Sequence, residues 1–380
     1  MLNIYKRLLI RWNSTLSRPI SSPPLNVLFF GTDEFSNFTL KTLFSLKNKE
    51  PKLINSIQVV TKPSIWCGRR HSKLFIPPVT GLYNSLNDST LPPIIPYDSN
   101  DVQPIKDLIN KESINMIIAT SFGYLIPAEL IKMVPYSMNV HPSLLPQYKG
   151  SSPLQYTLLN RNLVTGITIQ ELDPFKFDAG KIIEQTPEIS IESLNLNRPI
   201  SSKPVEGGWK TLLLRDKLGE ISQNLLKNVL IKKLYLPENI ARNSTVNKKY
   251  ERSMAPRLKK EMNRVIWGDD SIDDIVNKFD VLGPLFTFYQ GKRVLLHDIT
   301  IKKLEVNLST TAQGQFWLDT KDQSVFVNVN DQDQKLLKIG LLQLEGYPVE
   351  PAQVFMKKLN KRTNNSRLPI NPSNLVFTTT

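Results

Sequence analysis

The 380-residue sequence predicts an α/β domain, built on a doubly wound and mostly parallel sheet, followed by a small β-barrel of the oligonucleotide/oligosaccharide-binding kind. Two patterns carry this reading. As far as residue 186, apolar strand-like runs alternate with segments of helical spacing; from Tyr250 onward, short β-like runs divided by turn signals take over. With 40% hydrophobic residues, the chain can supply a core for each part.

Residues 1–24 carry Lys6, Arg7, Arg11 and Arg18, no acid and many hydroxyls, with Leu2, Leu8, Leu9, Ile10 and Trp12 as an apolar side. This is the pattern of a mitochondrial transit peptide; a basic tail is the plainer alternative. Residues 25–32 read as a strand ending in a tight turn, and Glu34 to Leu46 as a helix with Phe35, Phe38, Leu40, Leu43 and Phe44 on its apolar face. Gly31 stands alone in the turn, so the three-glycine dinucleotide fingerprint is missing and an oxidoreductase is disfavoured. Ser56 to Thr61 is a second strand. The loop after it brings Lys62, Arg69, Arg70 and Lys73 together with Trp66 and His71. Such a loop suits phosphate contact and stacking, and equally an ordinary solvated loop with Trp66 folded back.

A helix opens at Pro77-Pro78, a third strand lies within Leu91 to Pro96, and Val102 to Lys111 is amphipathic. The apolar run 114–120 reads as a buried strand. After a helical segment, Ala128 to Met133, a short strand ends in Asn139-Val140-His141. Alternate strand residues share a face, so Asn139 and His141 can point the same way. Pro142 and Pro146 stiffen the turn that follows. An amide donor and an imidazole at a strand end can stabilise an oxyanion and move a proton; each also has a purely structural reading.

A helix is expected from Pro153 to Leu159. Residues 165–173 alternate as a half-exposed strand, and Asp178 follows in a turn with Gly180, where an Asp commonly serves the turn itself. Residues 191–207 read as a surface loop, Thr211 to Leu230 as a long helix, and 231–249 as a basic, poorly periodic stretch. The barrel is expected from Leu285–Tyr289, Val294–Ile301, Gln315–Leu318, Ser324–Asn328 and Leu336–Leu344, with a helix within Gly346 to Lys358.

The formal charge of +14 is unevenly placed: residues 25–200 hold 16 bases and 15 acids, whereas 201–250 hold 10 and 4. A basic connector between nearly neutral domains suits a polyanion lying across it, or simple solvation. Cys67 is the only cysteine and the three histidines are widely spaced, so neither an intrachain disulfide nor a Cys/His metal site is expected. No run approaches the roughly 20 apolar residues of a membrane helix.

At this point the chain resembles the methionyl-tRNA formyltransferase family. Phe30-Gly31-Thr32-Asp33-Glu34-Phe35 looks like its Gly-Thr-Pro-x-Phe, with Asp33 in place of Pro. Asn139 to Pro146 is similar to its Asn-x-His followed by Ser-Leu-Leu-Pro, and Gly166 to Gly180 resembles the segment bearing the family's catalytic Asp. Asp173 to Asp178 is one residue longer than the common bacterial spacing, Lys181 stands where an acid is often found, and 191–207 looks like an insertion. Leu214 to Leu218 fits a linker helix, and Ala255 to Trp267 is similar to the entry into a C-terminal domain.

The resemblance implies a transit peptide at 1–24, a catalytic domain at 25–205, a basic linker with a helix at 206–249, a tRNA-binding barrel at 250–367 and a tail at 368–380. It implies formyl transfer from 10-formyltetrahydrofolate to the α-amine of initiator methionyl-tRNA in the mitochondrial matrix, by a monomer without a metal or a membrane. Asn139, His141 and Asp178 would be catalytic. Ser143, Leu144, Leu145 and Pro146, with Phe122, Gly123 and Tyr124, would line the folate pocket, and Arg69, Arg70 and Lys73 would meet tRNA. Because other folate-dependent formyltransferases and formyltetrahydrofolate hydrolase share the Asn, His and Asp, they remain alternatives, as does a non-catalytic RNA-binding protein on the same fold.

Overall fold

The computed structural model describes residues 23–198, 207–243, 249–303, 312–329, 331, 333, 335–363 and 375–380. The expected transit peptide therefore lies outside the described residues, except for its last two positions. In chain order, the first part comprises β1 (Leu25–Gly31), α1 (Glu34–Lys49), β2 (Ile54–Thr61), β3 (Ile65–Cys67), β4 (Lys73–Phe75), α2 (Pro78–Ser85), β5 (Ile95–Pro96), α3 (Gln103–Lys111), β6 (Met116–Thr120), α4 (Ala128–Lys132), β7 (Tyr136–His141), α5 (Pro153–Leu159), β8 (Val164–Thr165), β9 (Thr168–Gln170), β10 (Ile182–Gln185) and β11 (Ile189–Ser190). Next come α6 (Trp209–Ile231), α7 (Pro237–Asn243) and α8 (Ile272–Leu282). The second part holds β12 (Leu285–Tyr289), β13 (Lys292–Lys303), β14 (Phe316–Asp319), β15 (Ser324–Asn328), β16 (Lys335–Leu344), β17 (Glu350–Pro351) and α9 (Ala352–Arg362).

The first sheet has the order β10-β9-β7-β6-β1-β2-β5; β7 through β5 are parallel, β9 runs against them, and β10, antiparallel to β9, returns to their direction. Alternation along β1 divides the core in two. Val27 and Phe29 pack with α1 and α6, while Leu28 and Phe30 pack with Ile105 and Ile109 of α3 and Leu130 of α4. Helices on both faces make the sheet doubly wound, as expected. Strand order reverses between β1 and β6, which places a crevice outside their carboxyl ends. Gly31 is in register with Thr120, and Ala119 with Asn139, so three strand ends open onto one edge. Asp33 caps α1 through Ser36 N–H at 3.0 Å, and burial raises its carboxyl above the ordinary range.

Two expectations about the later chain need correction. The basic linker with a helix, expected at 206–249, does not stand apart from the catalytic domain: among its described residues, Leu214, Leu218, Leu226, Val229 and Leu230 of α6, with Tyr235 and Ile240, are buried in the first core. Its cations sit beside this apolar face, so net charge concealed the helix's role. At Gly219 a Cβ would meet the Phe38 ring at 2.3 Å, so the missing side chain lets α6 lie close on α1. The other correction concerns the tail expected over 368–380, because residues 375–380 belong to the barrel. The second sheet runs β12-β13-β16-β15-β14, and Val376 and Thr378 bridge Gln315 and Phe288 across the remaining gap. Leu375 and Phe377 are buried there, and Phe377 stacks on Phe316 at 3.9 Å. This terminal segment closes the barrel edge.

The two parts are joined through α8, which packs on α5 and α6. Trp209 donates to Asp280 at 2.6 Å and Thr211 to the Val281 carbonyl at 2.8 Å. From within the 191–207 segment, Arg198 donates to the Ile299 carbonyl at 2.8 Å and to Asp298 at 3.0 Å, and lies over the Phe279 ring.

Candidate active site

Strand β7 delivers Asn139 and His141 to the sheet's open edge, and β9 runs antiparallel beside it with Gln170 opposite Asn139 and Thr168 opposite His141. Asp178 reaches the same place from the loop between β9 and β10. Its Oδ1 accepts from Asn139 Nδ2 at 3.2 Å and from Gln170 Nε2 at 2.8 Å, and lies 3.5 Å from His141 Nδ1. Its Oδ2 accepts from the Gly150 N–H at 2.8 Å. The His141 and Asp178 side chains are only 5% and 6% exposed, so these contacts are sheltered from competing water. Asp178 adopts a positive φ of 52°, a conformation uncommon outside glycine that its three donors help to hold.

His141 Nε2 stands 3.0 Å from the Tyr148 carbonyl. Both ring nitrogens thus face acceptors, a carbonyl on one side and a carboxylate on the other. A ring protonated on both nitrogens satisfies both; a neutral ring satisfies one. The nitrogen nearest an incoming substrate therefore has to exchange its present partner. Asn139 has a second amide hydrogen beyond the one given to Asp178.

Sequence reasoning missed Gln170 and Thr168. The alternation at 165–173 suggests a half-exposed strand, yet Thr168, Ile169 and Gln170 are all buried. Its polar members build the site instead of facing water. Thr168 Oγ1 donates to the Ser143 carbonyl at 2.6 Å and accepts from the Leu145 N–H at 3.0 Å. Gln170 fixes Asp178 through one end of its amide, while its Oε1 has no partner among the described residues. The detectable signal was the placing of Thr168 and Gln170 two residues apart, ahead of Asp178. Gly180 admits the protein's own backbone, since a Cβ there would lie 1.9 Å from the Glu171 carbonyl oxygen.

A cleft of about 260 Å³ opens beside Asp178, lined by Leu145, Pro146, Lys149, Gln170, Ala179, Gly180, Lys181 and Ile182 as well. Within the Ser143–Pro146 run, only Leu145 and Pro146 line it. Ser143 bonds the Gln147 carbonyl at 2.7 Å, and Leu144 packs where a Gly166 side chain would be. Burial, and then the neighbouring Arg252, lowers the Lys149 ammonium below the usual lysine range, with Asp178 and Asp173 opposing the shift.

Phe122 is buried in an aromatic cluster with Phe30 and Tyr97, and Tyr124 is exposed at its edge. Lys62 Nζ lies 4.3 Å from the Tyr124 ring centre and would collide with a Cβ at Gly123. The loop expected at 62–73 is a β3–β4 hairpin carrying Arg69 and Arg70 in its connection and Lys73 on its return strand. Trp66 is 61% exposed, with Ile65 and Phe75 also open to solvent, so the indole is not folded back. Among the described residues, no group of His, Cys, Asp and Glu is arranged to hold a metal ion, and no helix is long and apolar enough to cross a membrane.

Residues 25–194 match the family model described as formyl transferase. Along 89% of its length, the chain is 37% identical to the mitochondrial methionyl-tRNA formyltransferase of Saccharomyces cerevisiae, covering 90% of that protein. It is 29% identical to the mitochondrial enzyme of Homo sapiens, over 78% of this chain and 66% of the human one. Among solved structures, HypX from Aquifex aeolicus in complex with tetrahydrofolic acid superposes with a TM-score of 0.50 at 16% identity, over 89% of this chain and 48% of that one; this likeness speaks for the fold alone. On the strength of the yeast relative, matched across nearly the full length of both proteins, the chain belongs to the methionyl-tRNA formyltransferase family.

Proposed function

We propose that the protein transfers the formyl group of 10-formyltetrahydrofolate to the α-amine of initiator methionyl-tRNA in the mitochondrial matrix, supporting translation initiation. The observation that carries this reading is the convergence of Asn139, His141 and Gln170 on the Asp178 carboxylate beside an open cleft. The amine attacks the formyl carbon directly, forming the new C–N bond. An α-amine titrates near pH 7.7–8, so a useful fraction is already neutral. The chemical difficulty is the oxyanion that develops on the former carbonyl oxygen. The free amide hydrogen of Asn139 donates to it, and His141 contributes a ring N–H once that nitrogen exchanges its resting partner. Asp178 holds the imidazole in place and helps to take the proton lost by the amine. That proton then reaches the folate nitrogen as its bond to carbon breaks, leaving formyl-methionyl-tRNA and tetrahydrofolate. Donors and acceptors on the chain itself suffice for these steps, so no metal enters the scheme.

Leu145, Pro146 and Tyr124 flank the folate. The hairpin with Arg69, Arg70 and Lys73 meets the acceptor arm, together with the barrel and the basic surface of residues 206–249. We assign residues 1–24 to the transit peptide, 25–249 to the catalytic unit and the remainder to a tRNA-binding barrel, in a monomer. The deciding experiment is a formylation assay with methionyl-initiator tRNA against methionyl-elongator tRNA. Formate release from the folate without tRNA would favour a hydrolase, and binding of tRNA without any formyl transfer would favour a non-catalytic RNA-binding protein.

A further inference from the structure

The segment Arg252–Pro256 precedes the barrel in the chain, yet it lies along the active-site loop 146–152, with a parallel β-bridge between Met254 and Lys149. Four backbone hydrogen bonds join them. Ser253 N–H donates to Pro146 O at 3.3 Å, Lys149 N–H to Ser253 O at 3.0 Å, Ala255 N–H to Lys149 O at 2.7 Å, and Ser152 N–H to Ala255 O at 3.0 Å. A fifth comes from a side chain: Ser253 Oγ accepts the Tyr148 N–H at 2.9 Å. Contact is close enough that a Cβ at Gly150 would lie 2.7 Å from the Ala255 carbonyl oxygen.

This loop also touches the polar cluster. The Tyr148 carbonyl faces His141 Nε2, and the Gly150 N–H donates to Asp178 Oδ2. Tyr148 is therefore held from both sides, by Ser253 through its N–H and by the imidazole through its carbonyl. It has a positive φ of 56°, and Gly150 a φ of 122°. A loop with Tyr148 in this region persists only where its surroundings over-determine it, and the strap supplies five of the bonds that do so.

We propose that Ser253 is a positioning residue for formyl transfer, and that the Arg252–Pro256 strap makes the alignment of His141 and Asp178 depend on the chain that leads into the C-terminal barrel. This rests on the reading of Asn139, His141 and Asp178 as the transfer site. Ser253 itself touches neither His141 nor Asp178; it acts through Tyr148. Removing its hydroxyl leaves the Tyr148 N–H without its acceptor and lets the carbonyl that orients the imidazole drift. A misplacement of about 1 Å can cost on the order of 100-fold in rate.

The test uses the full chain with Ser253→Ala and Ser253→Thr. Both substrates are varied in steady-state formylation, and the imidazole resonances are followed by two-dimensional nitrogen NMR, which the presence of only three histidines makes assignable. The proposal expects Ser253→Ala to lower kcat by roughly 10- to 100-fold, with either KM changed by less than about twofold. It further expects a displaced His141 ring signal, and recovery of both rate and signal in Ser253→Thr, which keeps the hydroxyl. An unchanged kcat overturns it. So does a loss confined to KM for tRNA, or a loss that Thr does not restore. Should the wild-type chain transfer no formyl group at all, the functional reading fails separately; the ring signals then decide the strap, and identical His141 spectra in wild type and Ser253→Ala overturn it.

Discussion

Replacing Asp178 by Asn tests the polar cluster with almost no change of shape. Oδ1 accepts two side-chain amides and faces the imidazole, while Oδ2 accepts the Gly150 N–H. If the Asn oxygen takes the Oδ1 position, its NH2 meets the Gly150 N–H donor to donor at a site 2.8 Å away. Turned the other way, the NH2 opposes both Asn139 and Gln170. Either orientation leaves at least one sheltered donor unpaired, at a cost of about 1–3 kcal/mol. The catalytic loss should exceed the stability loss, because the negative charge beside His141 disappears as well. Loss of a positioned proton acceptor typically costs about 10²–10⁴ in rate, or roughly 2.7–5.5 kcal/mol of barrier. Single-turnover formylation of charged initiator tRNA at saturating enzyme and folate reads that step directly, with thermal melting as the control for folding. A folded Asp178→Asn variant turning over within about threefold of wild type would refute the assigned role.

Three further outcomes follow from other parts of the molecule. Burial lowers the His297 imidazole below its ordinary value, with Gln343 opposing; the unfolded chain therefore takes up this proton first as pH falls through about 6.5. Stability should be complete above that pH and decline below it until the folded-state value is reached, and His297→Phe should flatten the decline in melting temperature against pH. Arg198→Ala removes two hydrogen bonds to β13 and a contact with Phe279 from a partly exposed group, so calorimetry should show a loss of about 1 kcal/mol, or roughly 2–4 °C. Affinity for tRNA should fall steeply with salt in filter-binding titrations, and Arg70→Ala and Lys73→Ala should each reduce the logarithmic slope by about one if each loses one phosphate contact.

The sequence was most informative where local chemistry and tertiary structure agree. Leu25 to Gly31 is a strand with the turn following it, and the short strand before Pro142 does present Asn139 and His141 on one edge, beside Asp178 from a distant loop. Leu285–Tyr289 and Ser324–Asn328 are strands at the expected limits. It was least informative where polar residues are buried for a purpose. Thr168 and Gln170 look like the wet side of a strand because alternation registers polarity and not what satisfies it. The α6 helix was legible over Thr211 to Leu230, but its packing into the first core was not, since net charge does not reveal which face packs. Residues 375–380 could not be joined to the barrel beforehand, because a closing strand is specified by a gap between distant elements. Backbone groups contributed by Tyr148 and Gly150 leave no side-chain signal at all.

The most direct test of the account combines purified chain, 10-formyltetrahydrofolate and methionyl-initiator tRNA, with formyl-methionyl-tRNA and tetrahydrofolate measured together for wild type and for Asn139→Ala. The account predicts one formylated tRNA per folate consumed, and a loss on the order of 100- to 1000-fold in the variant. Folate consumed without formylated tRNA, or an Asn139→Ala protein as fast as the wild type, would contradict it.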